Sequence, residues 1–161
     1  MVALLNDDLV HHKAFTDAYV DLKNHCGPSM PTLADYDSAR LTRDVATVNT
    51  FAALRASYAA RALRIAASAS PPAAVLARTF AGLQPDLTAA AKAGAGWSNG
   101  LSVGPTACTS AKAGPSLVAG TDLDNRRAAW MSDFRKWVPG GDTTLGPTYR
   151  WFLGNQPNTA L

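Results

Sequence analysis

Glutamate does not occur in this chain of 161 residues; all 12 acidic side chains are aspartates. Glutamate is the better helix former and aspartate the better helix cap. Helices built from this sequence must therefore draw their exposed faces from Ala, Thr, Ser and Arg, with acids gathered at helix starts. Lysine is scarce as well, with 5 against 10 Arg. No apolar run approaches the ~18 residues of a membrane span, so no membrane partner is expected. The start, Met1-Val2-Ala3-Leu4-Leu5 followed by Asn6-Asp7-Asp8, lacks the basic residues and the long apolar stretch of a secretory signal. The expected location is a virion or the cytoplasm, unless a leader was removed ahead of this numbering.

Cysteine is limited to Cys26 and Cys108, and neither has a Cys or His neighbour at zinc-site spacing. The pair is either a disulfide, natural outside the cell, or two inert buried thiols. Catalytic signatures are missing too. There is no Gly-x-Ser-x-Gly nucleophile turn, and the aspartates sit where caps and surface groups are expected rather than as a paired acid and base. Asp122-Leu123-Asp124-Asn125-Arg126 has the opening of a calcium loop but puts Arg where a ligand belongs and has no downstream glutamate. Gly94-x-Gly96 is not followed by a phosphate-binding helix start. The expectation is a non-enzyme with no metal and no cofactor.

What is present is helical periodicity. Leu5, Leu9, His12, Phe15, Tyr19, Leu22 and Cys26 recur at three- and four-residue steps on one face of a first helix, with Asn6 or Asp7 as its cap and Gly27-Pro28 as its stop. A second helix is expected from a Thr32 cap with Asp35 three residues on. No Gly or Pro follows until Pro71, about 37 residues. Its apolar stripe is Leu41, Val45, Val48, Phe51, Leu54, Tyr58, Ala62 and Ile65; its other side carries Arg40, Arg43, Asp44, Thr47, Thr50, Ser57, Arg61 and Arg64. A third helix opens at Ser70 with Pro71-Pro72 in its first turn. Leu76, Phe80, Leu83 and Leu87 stay in phase across Pro85, which predicts one kinked helix ending at Gly94 and Gly96.

Residues 95–120 are rich in Gly, Ser, Thr, Ala and Pro and read as a long loop. A fourth helix follows from a Thr121 cap, with Leu123, Trp130, Phe134 and Trp137 on one face. Residues 139–161 form an extended aromatic tail containing Tyr149-Arg150-Trp151-Phe152-Leu153. The fold class is all-α: one domain over 1–161, an antiparallel bundle of about four helices with one very long helix and a long Gly/Ser/Pro-rich loop before the last.

Charge is segregated along the chain. Residues 1–39 are net −4, residues 40–92 net +5 and residues 93–161 net +2. Arginine suits bidentate contacts with phosphate or carboxylate. Arg40, Arg43, Arg61 and Arg64 on the second helix, with Arg126 and Arg127 near the start of the fourth, are the candidate contacts to nucleic acid or to a neighbouring subunit. Asp7, Asp8, Asp17, Asp21, Asp35 and Asp37 form the complementary acidic end. The leading expectation is a self-assembling structural subunit, of the virus or phage coat kind, whose partners are copies of itself and RNA or DNA. The alternative is a small secreted binding protein locked by a Cys26–Cys108 disulfide. Its pocket, near His12, Tyr19 and Tyr58, would take an apolar ligand or haem.

Overall fold

A computed structural model describes residues 1–25, 37–101 and, between 126 and 136, positions 126, 129, 130, 132–134 and 136. Its elements are α1 (Val2–His25), α2 (Ser38–Ser68) and α3 (Pro71–Leu101). The described positions between 126 and 136 are helical as well, and no strand occurs among the described residues. The chain is an all-α helical bundle.

Antiparallel neighbours follow from which residues meet. Asp7 reaches Arg61 and Asp21 reaches Arg40, so α1 runs opposite to α2. Asn49 and Asn99 exchange amide hydrogen bonds of 2.7 and 3.1 Å, and only Ala69 and Ser70 separate α2 from α3, so this pair is a tight helical hairpin. Arg126 meets Asp86 while Trp130 stacks near Phe80 and donates its indole N–H to the Leu76 carbonyl at 2.9 Å. The stretch from 126 to 136 therefore runs back along α3.

The apolar stripes bury as their spacing requires. Phe15, Tyr19, Val48, Phe51, Tyr58, Phe80, Trp130 and Phe134 are all buried, and Leu41 packs partly buried against them. The core falls into two clusters. One joins Leu4, Leu5 and Leu9 to Tyr58, Leu76, Phe80, Leu83, Trp130 and Phe134. The other joins Phe15, Tyr19 and Leu22 to Val48, Phe51, Ala91, Ala95 and Leu101. Aromatic contacts reinforce the second: the Phe15 and Phe51 rings are tilted with centroids 4.8 Å apart, and Tyr19 meets Trp97 edge-on at 5.2 Å.

Three helix boundaries differ from the sequence reading, each for a physical reason. α1 starts at Val2, so Asn6 and Asp7 lie inside it rather than capping it. Burying Leu4 and Leu5 rewards extension toward the N-terminus, and the Leu5 N–H bonds the Met1 carbonyl at 2.9 Å. α2 starts at Ser38 and spans 31 residues, with Asp37 as its N-cap in place of Thr32. The Asp37 carboxylate accepts from the Ala39 N–H at 3.1 Å and its carbonyl from the Leu41 N–H at 2.9 Å, the usual service of a capping aspartate.

α3 passes Pro85 unbroken, as expected, and then passes Gly94 and Gly96 to end at Leu101. With Gly100, the three glycines of this last stretch cost the helix about 3 kcal/mol in propensity. Burial of Ala95, Ser98 and Leu101, with Trp97 packed on Tyr19, outweighs that cost. The loop expected over 95–120 therefore begins after 101. Its remainder, both cysteines, Thr32, Asp35, Thr121, Leu123, Trp137 and the 139–161 tail lie outside the described residues.

Candidate functional site

The site begins with how α1 and α2 share charge. α1 carries acids at positions that its antiparallel packing sets against α2 arginines. Arg40 forks onto Asp21 with two bonds, Nε to Oδ2 at 2.7 Å and Nη2 to Oδ1 at 2.5 Å. Arg61 donates to Asp7 at 2.5 Å and lies over the Tyr58 ring, 5.1 Å from its centroid. Between them, Arg55 donates to Asp8 in a pair that is almost fully buried, with side chains 2% and 8% exposed. The Arg55 guanidinium also sits over Phe51 and Tyr58, 5.2 and 5.8 Å from their centroids.

Arg55 and Asp8 are the charged pair that the sequence reading missed, although the signal was there. Arg55 falls in step with Phe51, Tyr58 and Ala62, and Asp8 with Leu4, Leu5 and His12; a charge in the apolar phase of a helix is a buried charge in need of a partner. Asp44, expected on the outer side of α2, is buried instead, and takes the Nε of Arg43 at 3.1 Å.

The buried tyrosines respond to this interior. Burial pushes the Tyr19 hydroxyl up to about 12. Tyr58 is raised further, by burial first and then by the Asp8 and Asp7 carboxylates, with Arg55 and Arg61 opposing. The Tyr58 hydroxyl, Arg55 Nε and Gln84 Oε1 are buried without a protein hydrogen-bond partner. His12 is buried edge-on against Phe51, the two ring centroids 5.9 Å apart, so Phe51 occupies the side of the imidazole that faces α2. Among the described residues, no three His, Cys or Asp side chains gather where a metal ion could sit. None of the described helices is long and apolar enough to cross a membrane.

The arginines expected at an interface separate into groups. Arg40, Arg61 and Arg126 are each committed to a carboxylate of the same chain, the last to Asp86 at 2.9 Å. Arg43 holds its neighbour Asp44 but stays 68% exposed. Arg64 stands exposed on α2, and Arg127 lies outside the described residues. Shallow grooves flank the paired charges. One of ≈ 280 Å³ is lined by His11, Ala14, Arg43, Thr47, Thr50 and Phe51. Another of ≈ 300 Å³, between α3 and the 126–136 stretch, is lined by Thr79, Gly82, Leu83, Arg126, Trp130 and Asp133.

The balance of the described charges has one sign. Asp7, Asp8, Asp17, Asp21, Asp44, Asp86 and Asp133 each face a cation, and Asp37 caps α2. Lys23, Arg64, Arg78 and Lys92 form no ion pair among the described residues; Lys23 lies over the Tyr19 ring. What remains unmatched on the described surface is positive. Comparison with protein-family models, curated proteins and solved structures finds no match to this chain.

Proposed function

We propose that this chain is a non-enzymatic structural subunit that assembles with copies of itself and contacts nucleic acid, in the manner of a virus or phage coat protein. The observation that supports this reading is the one-sided charge balance. Of the acids of α1, Asp7, Asp8 and Asp21 are held by arginines of α2, and Asp17 by Lys13 of α1 itself. The cations left over among the described residues are Lys23 on α1, which lies over the Tyr19 ring, and Arg64, Arg78 and Lys92, exposed on the α2–α3 hairpin. Surface cations without a carboxylate of their own favour a polyanion. Val10, Val20, Leu63 and Val75, exposed on three helices, supply apolar contacts for neighbouring copies.

The test is size-exclusion chromatography of the native protein with absorbance at 260 and 280 nm, before and after nuclease. The expected result is a multimer that carries nucleic acid and shifts in size or absorbance ratio on digestion. A single monomer peak free of nucleic acid at every concentration overturns the reading.

A further inference from the structure

Of the four glycines of α3, Gly94 is buried, while Gly82, Gly96 and Gly100 are not explained by packing among the described residues. Gly82 and Gly96 lie in the helix interior on its exposed side, and a Cβ built at either would meet nothing within 4 Å. Each costs the helix about fivefold in its folding equilibrium relative to alanine, with no close approach there to offset it. The two that are exposed, Gly82 and Gly96, share a placement. Gly82 is four residues after Arg78 and Gly96 four residues after Lys92, so each glycine shares a face with one of the cations that no described carboxylate holds.

Helical side chains lean toward the N-terminus. A side chain at 82 would cover the turn that starts at Arg78, and one at 96 the turn that starts at Lys92. Glycine leaves both turns open down to the backbone. The two cation–glycine units are 14 residues apart, nearly four turns, which puts them on the same side about 21 Å apart. The only acid on α3, Asp86, is already held by Arg126.

We infer that this face of α3, which at Gly82 borders the groove shared with Arg126 and Trp130, is the surface on which the phosphate backbone of a nucleic acid lies, held by Arg78 and Lys92 and admitted to close approach by Gly82 and Gly96. The inference rests on the reading of the chain as a nucleic-acid-contacting subunit and names the face that does it. A second copy of the chain is the poorer occupant, because the described carboxylates it would bring are themselves engaged by cations or, for Asp37, by a helix cap. Phosphates arrive with their charge unmatched by protein.

The experiment is fluorescence anisotropy of the full chain with a labelled single-stranded 20-nucleotide RNA of mixed sequence, titrated across salt concentrations. Arg78→Ala with Lys92→Ala is expected to weaken binding at least tenfold and to flatten the log–log salt dependence by about 1.4, near 0.7 for each phosphate no longer neutralised. Gly82→Leu with Gly96→Leu gives a better helix former and fills the open turns. That protein is expected to melt at a higher temperature yet bind RNA at least tenfold more weakly. Binding and salt slope unchanged in both variants, with wild-type binding intact, overturn the assignment of this face and leave the subunit reading standing. Variants that alter the assembly size but not RNA affinity give the face to a second copy and overturn it equally. A wild-type chain that binds no RNA defeats the subunit's nucleic-acid role, and this face with it.

Discussion

Removing the carboxylate of Asp8 isolates a guanidinium that has almost no contact with water. Arg55 is 2% exposed and is enclosed by Phe51 and Tyr58, so in Asp8→Ala its charge loses its counter-ion without gaining solvent. Breaking a buried pair from one side typically costs about 3–5 kcal/mol. Against a total of about 5–15 kcal/mol for a domain, the loss is a fifth or more of the stability. The converse holds for removing both partners. Asp8→Leu with Arg55→Met replaces the pair by apolar groups of similar bulk, and such exchanges are often neutral or stabilising by about 1–4 kcal/mol. Urea melts followed by circular dichroism at 222 nm should therefore rank the proteins wild type ≈ double variant > Asp8→Ala. A loss below about 1 kcal/mol in Asp8→Ala would mean that Arg55 reaches water. A double variant less stable than Asp8→Ala would mean that the charges themselves are required.

Two further outcomes follow from the same interior. Phe51→Ala empties a fully buried site between Phe15 and His12 and should cost roughly 3–5 kcal/mol in the same melts; a value under about 1 would place Phe51 outside the core. Tyr19 and Tyr58 have raised folded-state pKa values, so the native state holds their protons where the unfolded chain releases them. The stability this contributes is complete below pH 10, the ordinary tyrosine value, and declines as pH rises from 10 through about 12. Tyrosinate absorbance at 295 nm from these two residues should appear together with unfolding, and Tyr19→Phe should flatten the alkaline fall; early titration without unfolding would contradict their burial.

The phases of the helices could be read from the sequence because burial leaves a direct imprint at three- and four-residue steps. Phe15, Tyr19, Val48, Phe51, Phe80, Trp130 and Phe134 all follow it. Boundaries depend on competition that spacing does not record. Thr32 and Asp37 offer the same capping chemistry five residues apart. At the end of α3, the glycines argue for a stop that the burial of Leu101 and the packing of Trp97 override. The arginines show the same limit. Their grouping on α2 was visible, as was the acidic character of α1, but which carboxylate each would meet depends on the antiparallel docking of the two helices. That docking gives the chain's own aspartates first claim on Arg40, Arg55 and Arg61. It shifts interest to Arg64, Arg78 and Lys92, the last two of which lie on a helix that periodicity marked only for its apolar side.

The Asp8–Arg55 pair also divides the interior. Leu4, Leu5, Leu9 and Tyr58 lie to one side of it and Phe15, Phe51 and Ala52 to the other, so the bundle holds two oily compartments with an ionic partition between them. Oil alone tolerates sliding, since one aliphatic neighbour serves nearly as well as the next. With the partition in place, a slip of α1 by a single turn, about 5.4 Å, would drive a carboxylate into hydrocarbon and leave a guanidinium facing a leucine. The register of α1 against α2 is consequently fixed. For the subunit proposed above a fixed register matters, because an axial error tolerated in each copy would accumulate along the whole array.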